Sequence, residues 1–373
     1  MAVSDIYAVG LQAGSSAFAG IVSGVLYTLL VGRPRFSKWR TAALLCSMAS
    51  LIITFIAAVT YPQLSDGNHL ALGVFGACAI GGAGLAYAGV FAVRKALAGN
   101  AYWLVAISVP GSLGILLGIA LTRLVSLPPI GLVAPSLLWA VANLCMAVIL
   151  PRTRFDALRV AADVQRPEAP RTFALHALGL GIGAITSTLI PPLYLSIMSS
   201  LAAGTTTFLF LITRIGNAVV GFGINAVLIK RYQWGEERSS WIPAVTIAMA
   251  IGLVLVFCAQ LIARVSPEGP AADVVLGLAW MLTIGAPPIA LREVNALRLH
   301  RTIIGKSVTD VLVSLGAFVM LSRSPSVSNY LAALMCSQFL TAAWCGIGLR
   351  TRGLVIVSVV GLALCILMLA GGI

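Results

Sequence analysis

VGRPRFSKWRTAALLCSMASLIITFIAAVTY, residues 31–61, carries four basic residues in its first ten positions and no charge of either sign afterwards. The uncharged part matches the roughly 20 apolar residues that a helix needs to cross a hydrocarbon core of about 30 Å. The basic part is the kind of segment that stays cytoplasmic, because Lys and Arg collect on that side of a membrane. This one stretch therefore predicts both a span and its direction. The rest of the chain agrees with it. Of 373 residues, 60% are hydrophobic and 9% charged, and the mean hydropathy is +1.02. A soluble domain carries about 25% charged residues, so this chain has too few charges to cover its apolar surface in water. The composition excludes a soluble enzyme, a disulfide scaffold and a disordered tail. It predicts an all-α integral membrane protein.

Apolar runs occur near 9–32, 41–61, 70–92, 101–122, 130–150, 172–200, 206–229, 241–263, 274–296, 307–322, 329–349 and 353–371, which makes about twelve transmembrane helices. Turn clusters such as YPQLSDGNH (61–69) and SPEGPAAD (266–273) separate them. The tenth run is short, and Asp310 stands at its start. One alternating set of loops, beginning with 33–40, holds 20 of the 24 basic residues, and the opposite set holds Arg123, Arg264 and Arg323. That asymmetry predicts an N-terminus and a C-terminus outside. The start, MAVSDIYAVG, has neither a positive n-region nor an A-x-A cleavage site, so no removable signal is predicted. The net charge of +13 is thereby a topology feature held against an anionic inner leaflet, and no nucleic-acid partner is expected. The seven cysteines all fall inside apolar runs without paired spacing and read as small buried hydrophobes. His69, His176 and His300 are far apart in sequence, so neither a metal site nor any other cofactor is expected.

The charge-rich segment PRTRFDALRVAADVQRPEAPR (151–171) divides the chain. LQAGSSAF (11–18) recurs as LAAGTTTF (201–208), each read as opening a helix that enters from outside, and Ser112-Leu113-Gly114 recurs as Ser314-Leu315-Gly316. Matched helices run the same way, which describes a parallel repeat about an axis along the membrane normal, the symmetry of carriers with a central site. The expected organisation is a first lobe at 1–150 (five helices), a cytoplasmic connector at 151–171, a second lobe at 172–350 (six helices) and an additional helix at 351–373. A duplicated scaffold without transport is the plainer alternative.

Two segments resemble a known group. AITSTLIPPLYLSIMSSLAAGTTTFLFLITRIGNAVVGFGINAVLIKRYQW (184–234) is similar to the opening of the second lobe in the multidrug/oligosaccharidyl-lipid/polysaccharide flippase superfamily. It shows a long helix, a small-residue turn at Ala203-Gly204-Thr205, and a helix with an early Arg and several glycines. GVFAVRKALAGNAYWLVAISVPGSLGILLG (89–118) resembles the fourth-to-fifth helix passage of the same proteins. Within the superfamily the likeness is to polysaccharide flippases and to the lipid II flippase. The resemblance implies two six-helix lobes and transport of a lipid-linked saccharide. It also implies a cytoplasmic N-terminus, whereas the loop charges place this one outside. The two agree if the family's first helix is missing, so that helices one to eleven here match its second to twelfth.

An ionisable residue inside a membrane is costly and marks a site by default. Arg214 is the residue the spans leave in that position. Its permanent charge and planar fork suit the phosphate oxygens of a polyprenyl-linked sugar, and the resemblance implies a functional Arg at the matching place. The alternative is an outer-leaflet side chain that snorkels to the interface. Asn217, on the same helix face, and Asn225, two turns further, are candidates for binding sugar or for bridging to a neighbouring helix. Pro191-Pro192 and Pro287-Pro288 interrupt backbone hydrogen bonding, as hinges and cavity walls do. Arg292 ends helix nine near the inside, beside Glu293. No catalytic constellation is expected and the chain does not read as an enzyme. Asp273, Glu293 and Asp310 read as helix-end carboxylates, which leaves no acidic relay at mid-depth.

The expected function is a flippase that moves a lipid-linked, pyrophosphate-bearing saccharide across the cytoplasmic membrane by alternating access, in contact with membrane lipids and with glycosyltransferase or polymerase partners. Two alternatives stand beside it. One is a major-facilitator-type carrier, which predicts a G-x-x-x-D-R-x-G-R loop between helices two and three, where this chain has PQLSDGNH facing outside. The other is a non-transporting membrane subunit of a glycan-synthesis complex.

Overall fold

The structure, a computed structural model, describes residues 3–30, 37–61, 69–98, 100, 102–124, 132–153, 170–218, 241–265 and 270–371. Among these residues there are helices and turns and no strand. Among the described residues, eleven helices are long and apolar enough to cross a membrane. They are α1 (Ser4–Leu30), α2 (Trp39–Val59), α3 (His69–Leu97), α4 (Trp103–Thr122), α5 (Ala134–Arg152), α6 (Phe173–Met198), α8 (Ile242–Val265), α9 (Ala271–Asn295), α10 (His300–Arg323), α11 (Val327–Gly348) and α12 (Arg352–Leu369). The shorter α7 (Thr205–Ala218) lies between α6 and α8. The large apolar side chains that remain exposed, such as Leu44, Met48, Ile52, Phe55 and Val59 along one side of α2, belong in lipid.

The chain forms two compact units, Met1–Glu168 with Ser187–Phe210, and Ala169–Thr186 with Leu211–Ile373. The division therefore falls inside α6 and again inside α7. In the first unit α1 packs on α2 and α3, α2 on α3, and both α3 and α4 on α5. Small residues let these backbones meet, as they do between helices in lipid. A Cβ at Gly82 of α3 would collide with the Gly14 backbone of α1. Trp139 of α5 fills a notch bounded by Gly14, Gly81 and Gly111. In the second unit α8 packs on α9 and α12, α9 on α11, and α11 on both α10 and α12. The order second-on-third, third-on-fifth, fourth-on-fifth thus recurs when counting restarts at α7.

Several local expectations change. LQAGSSAF does not open a helix: Leu11 to Ala17 lie in the interior of α1, and a π-helical stretch, Phe18–Leu26, follows. Ser15 and Ser16 donate to the carbonyls of Leu11 and Gln12 at 2.7 and 2.6 Å, the back-bonding that bends helices just before such a stretch. Its counterpart LAAGTTTF spans a turn, with Gly204 at φ +93°, and the first residues of α7. The Pro pairs also differ. Helix α6 continues through Pro191 and Pro192, whereas α9 breaks at Ile284-Gly285 and resumes as Ala286–Ala296 with Pro287 and Pro288 in its first turn.

The largest correction concerns α10. It begins at His300, not 307, so Asp310 stands near its middle instead of at its start, and Lys306 lies within the helix and not in a loop. The polar residues Arg301, Lys306 and Asp310 hide this first part from a hydropathy reading. Helix α1 likewise begins before residue 9 and takes Asp5, which is 1% exposed, into its first turn.

Candidate functional site

Helix α7 starts where it does because of two residues far apart in sequence. Its N-cap position is Gly204, which has no side chain to bond the free amides of the first turn. The Asp5 carboxylate of α1 supplies that bond from outside the helix. Oδ2 accepts from the Gly204 N–H at 2.9 Å, and Oδ1 from the Thr207 N–H at 2.9 Å and the Thr207 hydroxyl at 2.7 Å. A carboxylate also suits the positive end of the helix dipole. Burial first, and then the nearby Asp5 charge, pushes the Tyr61 phenol above its ordinary value, so this neighbour stays neutral.

Arg214 follows nine residues after the start of α7, about 14 Å along its axis at about 1.5 Å per residue. Its side chain is half-buried and engaged. The residues on either side explain its direction. Thr213 is buried and hydrogen-bonds Tyr330 of α11, and Gly216 lies against the Trp280 ring and Ile284 at the break in α9. Leu211 and Ile215 are more than half exposed on the opposite side. Arg214 thus sits on the flank between core and lipid, on the stripe it shares with Thr207 and Phe210, three and four residues apart on a helical face. The backbone of Asn217 continues that stripe; its side chain, and all of Asn225, lie outside the described residues. Pro192 and Pro287 are buried, Pro191, Pro288 and Arg292 half-buried. Arg292 is in the second segment of α9 with Glu293, whose Oε1 accepts from the Trp241 N–H at 3.2 Å.

Basic residues also line a cavity of about 540 Å³ in the first unit, where Lys38, Trp39 and Arg40 at the start of α2 meet Phe91 and Arg94 of α3. The Arg94 guanidinium lies 5.9 Å from the Trp39 ring centre, and the Lys95 ammonium 4.2 Å from that of Trp103. Such contacts hold the two cations in place. The expected positive-inside residues Arg40 and Arg94 are therefore gathered around a space, which loop charge alone did not reveal.

Other polar groups were missed from sequence. Lys306 and Asp310 of α10 pair at 3.0 Å, and Ser337 of α11 donates to the same carboxylate at 2.7 Å. Their i,i+4 spacing is a helical ion-pair signal that could have extended α10 backwards. His176 of α6 and His300 of α10, separated by 124 positions, face each other with their Nδ1 atoms 3.2 Å apart, so that one ring donates and the other accepts. No sequence signal announces that pair. Asn143 of α5 is fully buried, and neither its amide nitrogen nor its oxygen has a hydrogen-bond partner among the described residues.

Eleven long apolar helices and charged side chains held among them define a multi-pass α-helical membrane protein. No family model, no curated protein and no solved structure matches the chain.

Proposed function

We propose that the protein is a flippase-type carrier that moves a lipid-linked, polyprenyl-pyrophosphate saccharide across the cytoplasmic membrane by alternating access. In this reading twelve helices form two related lobes, both termini lie outside, and glycosyltransferases or a polymerase supply and take up the cargo. The observation that carries it is Arg214: a permanent cation held half-buried on the flank of an apolar helix, on a stripe that starts at the Asp5-capped turn. An arginine there can take phosphate oxygens two at a time, and it cannot escape its charge by deprotonation. The basic cavity at Lys38, Arg40 and Arg94 favours an anionic cargo as well. The break in α9 lies beside Gly216, an interruption of the kind that carriers use as a hinge.

The test is complementation of a bacterial strain lacking its own saccharide flippase, with flipping of a fluorescent lipid-linked saccharide in proteoliposomes as the direct readout. Arg214→Ala is expected to abolish flipping and Arg214→Lys to retain a minor fraction, because a lysine keeps the charge and loses the two-pronged geometry. Full activity in both variants would rule out the phosphate role. A correctly inserted wild type that flips nothing, yet co-purifies with glycan-synthesis enzymes, would turn the reading toward a scaffold subunit.

A further inference from the structure

Helix α10 holds two opposite charges that differ in one respect: only one of them can leave. Asp310 lies ten residues from the start of a 24-residue helix, about 15 Å along the axis and near the midpoint whichever end faces the cytoplasm. Lys306 lies six residues in, about 9 Å, and its four-carbon stem can carry the ammonium back to the nearer interface. The Asp310 carboxylate hangs on a single methylene and cannot follow. With Lys306 in place the pair is neutral, 14% and 4% exposed, and Ser337 satisfies the second carboxylate oxygen. With Lys306 withdrawn, a bare carboxylate would remain at mid-depth, where charge is least tolerated.

We propose that Asp310 is a proton-binding site that exchanges Lys306 for a proton, and that this exchange couples the proton gradient to transport; the second clause rests on the carrier reading above. The step balances simply. A proton adds to Oδ2 of Asp310, the hydrogen bond from Lys306 Nζ to that oxygen breaks, and Lys306 moves off still protonated. Ser337 continues to donate to Oδ1. The pair gains one positive charge for each proton, and nothing is oxidised or reduced. A proton suits the site better than a metal cation, because among the described residues few oxygens are placed to coordinate one. The Thr309 hydroxyl accepts from Trp344 Nε1 at 2.7 Å and donates to the Gly305 carbonyl at 2.8 Å.

Other ionisable groups stand on the elements packed against α10: Asp273, Arg292 and Glu293 on α9, Tyr330, Cys336 and Cys345 on α11, Arg352 and Cys365 on α12, His176 and Tyr194 on α6, and His300, Arg301 and Arg323 on α10 itself. Among the described residues the carboxylate of Asp310 bonds to Lys306 and Ser337. Lys306 is therefore the group expected to govern its proton affinity.

The test is infrared difference spectroscopy of the full chain in lipid nanodiscs during an acid titration. A protonated-carboxyl band is expected to grow as pH falls and to be missing from Asp310→Asn. In Lys306→Ala, loss of the neighbouring cation should raise the proton affinity of that carboxyl about 100-fold, and in Ser337→Ala, loss of the donor should raise it by tenfold or less. The two shifts do not depend on Asp310→Asn folding normally. A band between pH 4 and 9 that is insensitive to all three substitutions overturns the site, as does a titration moved by sodium at fixed ionic strength. In proteoliposomes, an imposed pH gradient should speed flipping by wild type and not by Asp310→Asn. If wild type flips cargo with no response to the gradient, coupling fails and the carrier reading stands. If the band behaves as expected and no cargo moves, the carrier reading fails and the proton site stands.

Discussion

The helix pairs α4/α5 and α10/α11 occupy the same place in the packing order of their units, and they are joined by different physics. Between α4 and α5 the contact is close backbone approach at Gly114 and Gly118, with the Trp139 ring against Gly111. A Cβ at Gly118 would run into the Pro135 backbone, and one at Gly114 would lie 2.6 Å from the Leu138 carbonyl. Between α10 and α11 it is polar: Lys306, Asp310 and Ser337 form one cluster, and Trp344 donates to Thr309. At the spacing of the two Ser-Leu-Gly matches, Lys306 and Asp310 correspond to Leu104 and Ser108. The first arrangement gains dispersion and rigidity from close approach, with nothing that can titrate. The second holds a charge pair where hydrocarbon penalises any mismatch, which is a poor way to gain stability and a good way to build a switch.

Breaking the charge pair unilaterally should have the largest effect. Lys306→Leu strands a buried carboxylate and is expected to cost about 3–5 kcal/mol, read as a fall in detergent melting temperature at pH 8 that acid partly restores. The double variant Lys306→Leu/Asp310→Ser, which gives α10 the residues of α4, should lie close to wild type in stability. Stability as low as in the single variant would show that the pair holds α10 in place. Next comes Gly118→Ala, where backbone blocks the new methyl; about 1–3 kcal/mol is expected. Gly305→Ala meets the Trp344 ring instead, and should shift Trp344 fluorescence while costing less than Gly118→Ala. A smaller loss follows at Asp5: Asp5→Ala removes the cap of α7, about 1–2 kcal/mol, and hydrogen exchange at Thr207 should rise more than at α5. The smallest effect is a gain. Arg350 sits at φ 58° in the turn before α12, a conformation costing a side chain roughly 1–2 kcal/mol, so Arg350→Gly should raise the melting temperature slightly.

The two regions also differ in how far they were legible. Helices α2, α8 and α12 can be read directly, because each is an apolar run with charge only at its ends. Helix α10 cannot: Lys306 and Asp310 lower the local hydropathy to that of a loop, and only their pairing across one turn makes the segment acceptable to the membrane. The same holds for α1, where Asp5 is tolerated because three donors from residues 204 and 207 surround it. Of the site residues, Arg214 stands out in sequence as a cation within an apolar run. Asp5, Lys306, Asp310 and the His176–His300 pair do not, since each depends on a partner brought in by folding or on a helix start that hydropathy misplaces.

By itself, then, the sequence determined the solvent of this protein: 60% hydrophobic residues in long uncharged runs leave lipid as the only medium that can cover them. It also determined the asymmetry of its loops, because basic residues report topology wherever they fall. The tertiary structure decided which charges belong inside. A buried carboxylate is a fault or a site according to what stands within hydrogen-bond reach, and that is set by helix packing: Gly204 and Thr207 around Asp5, Lys306 and Ser337 around Asp310.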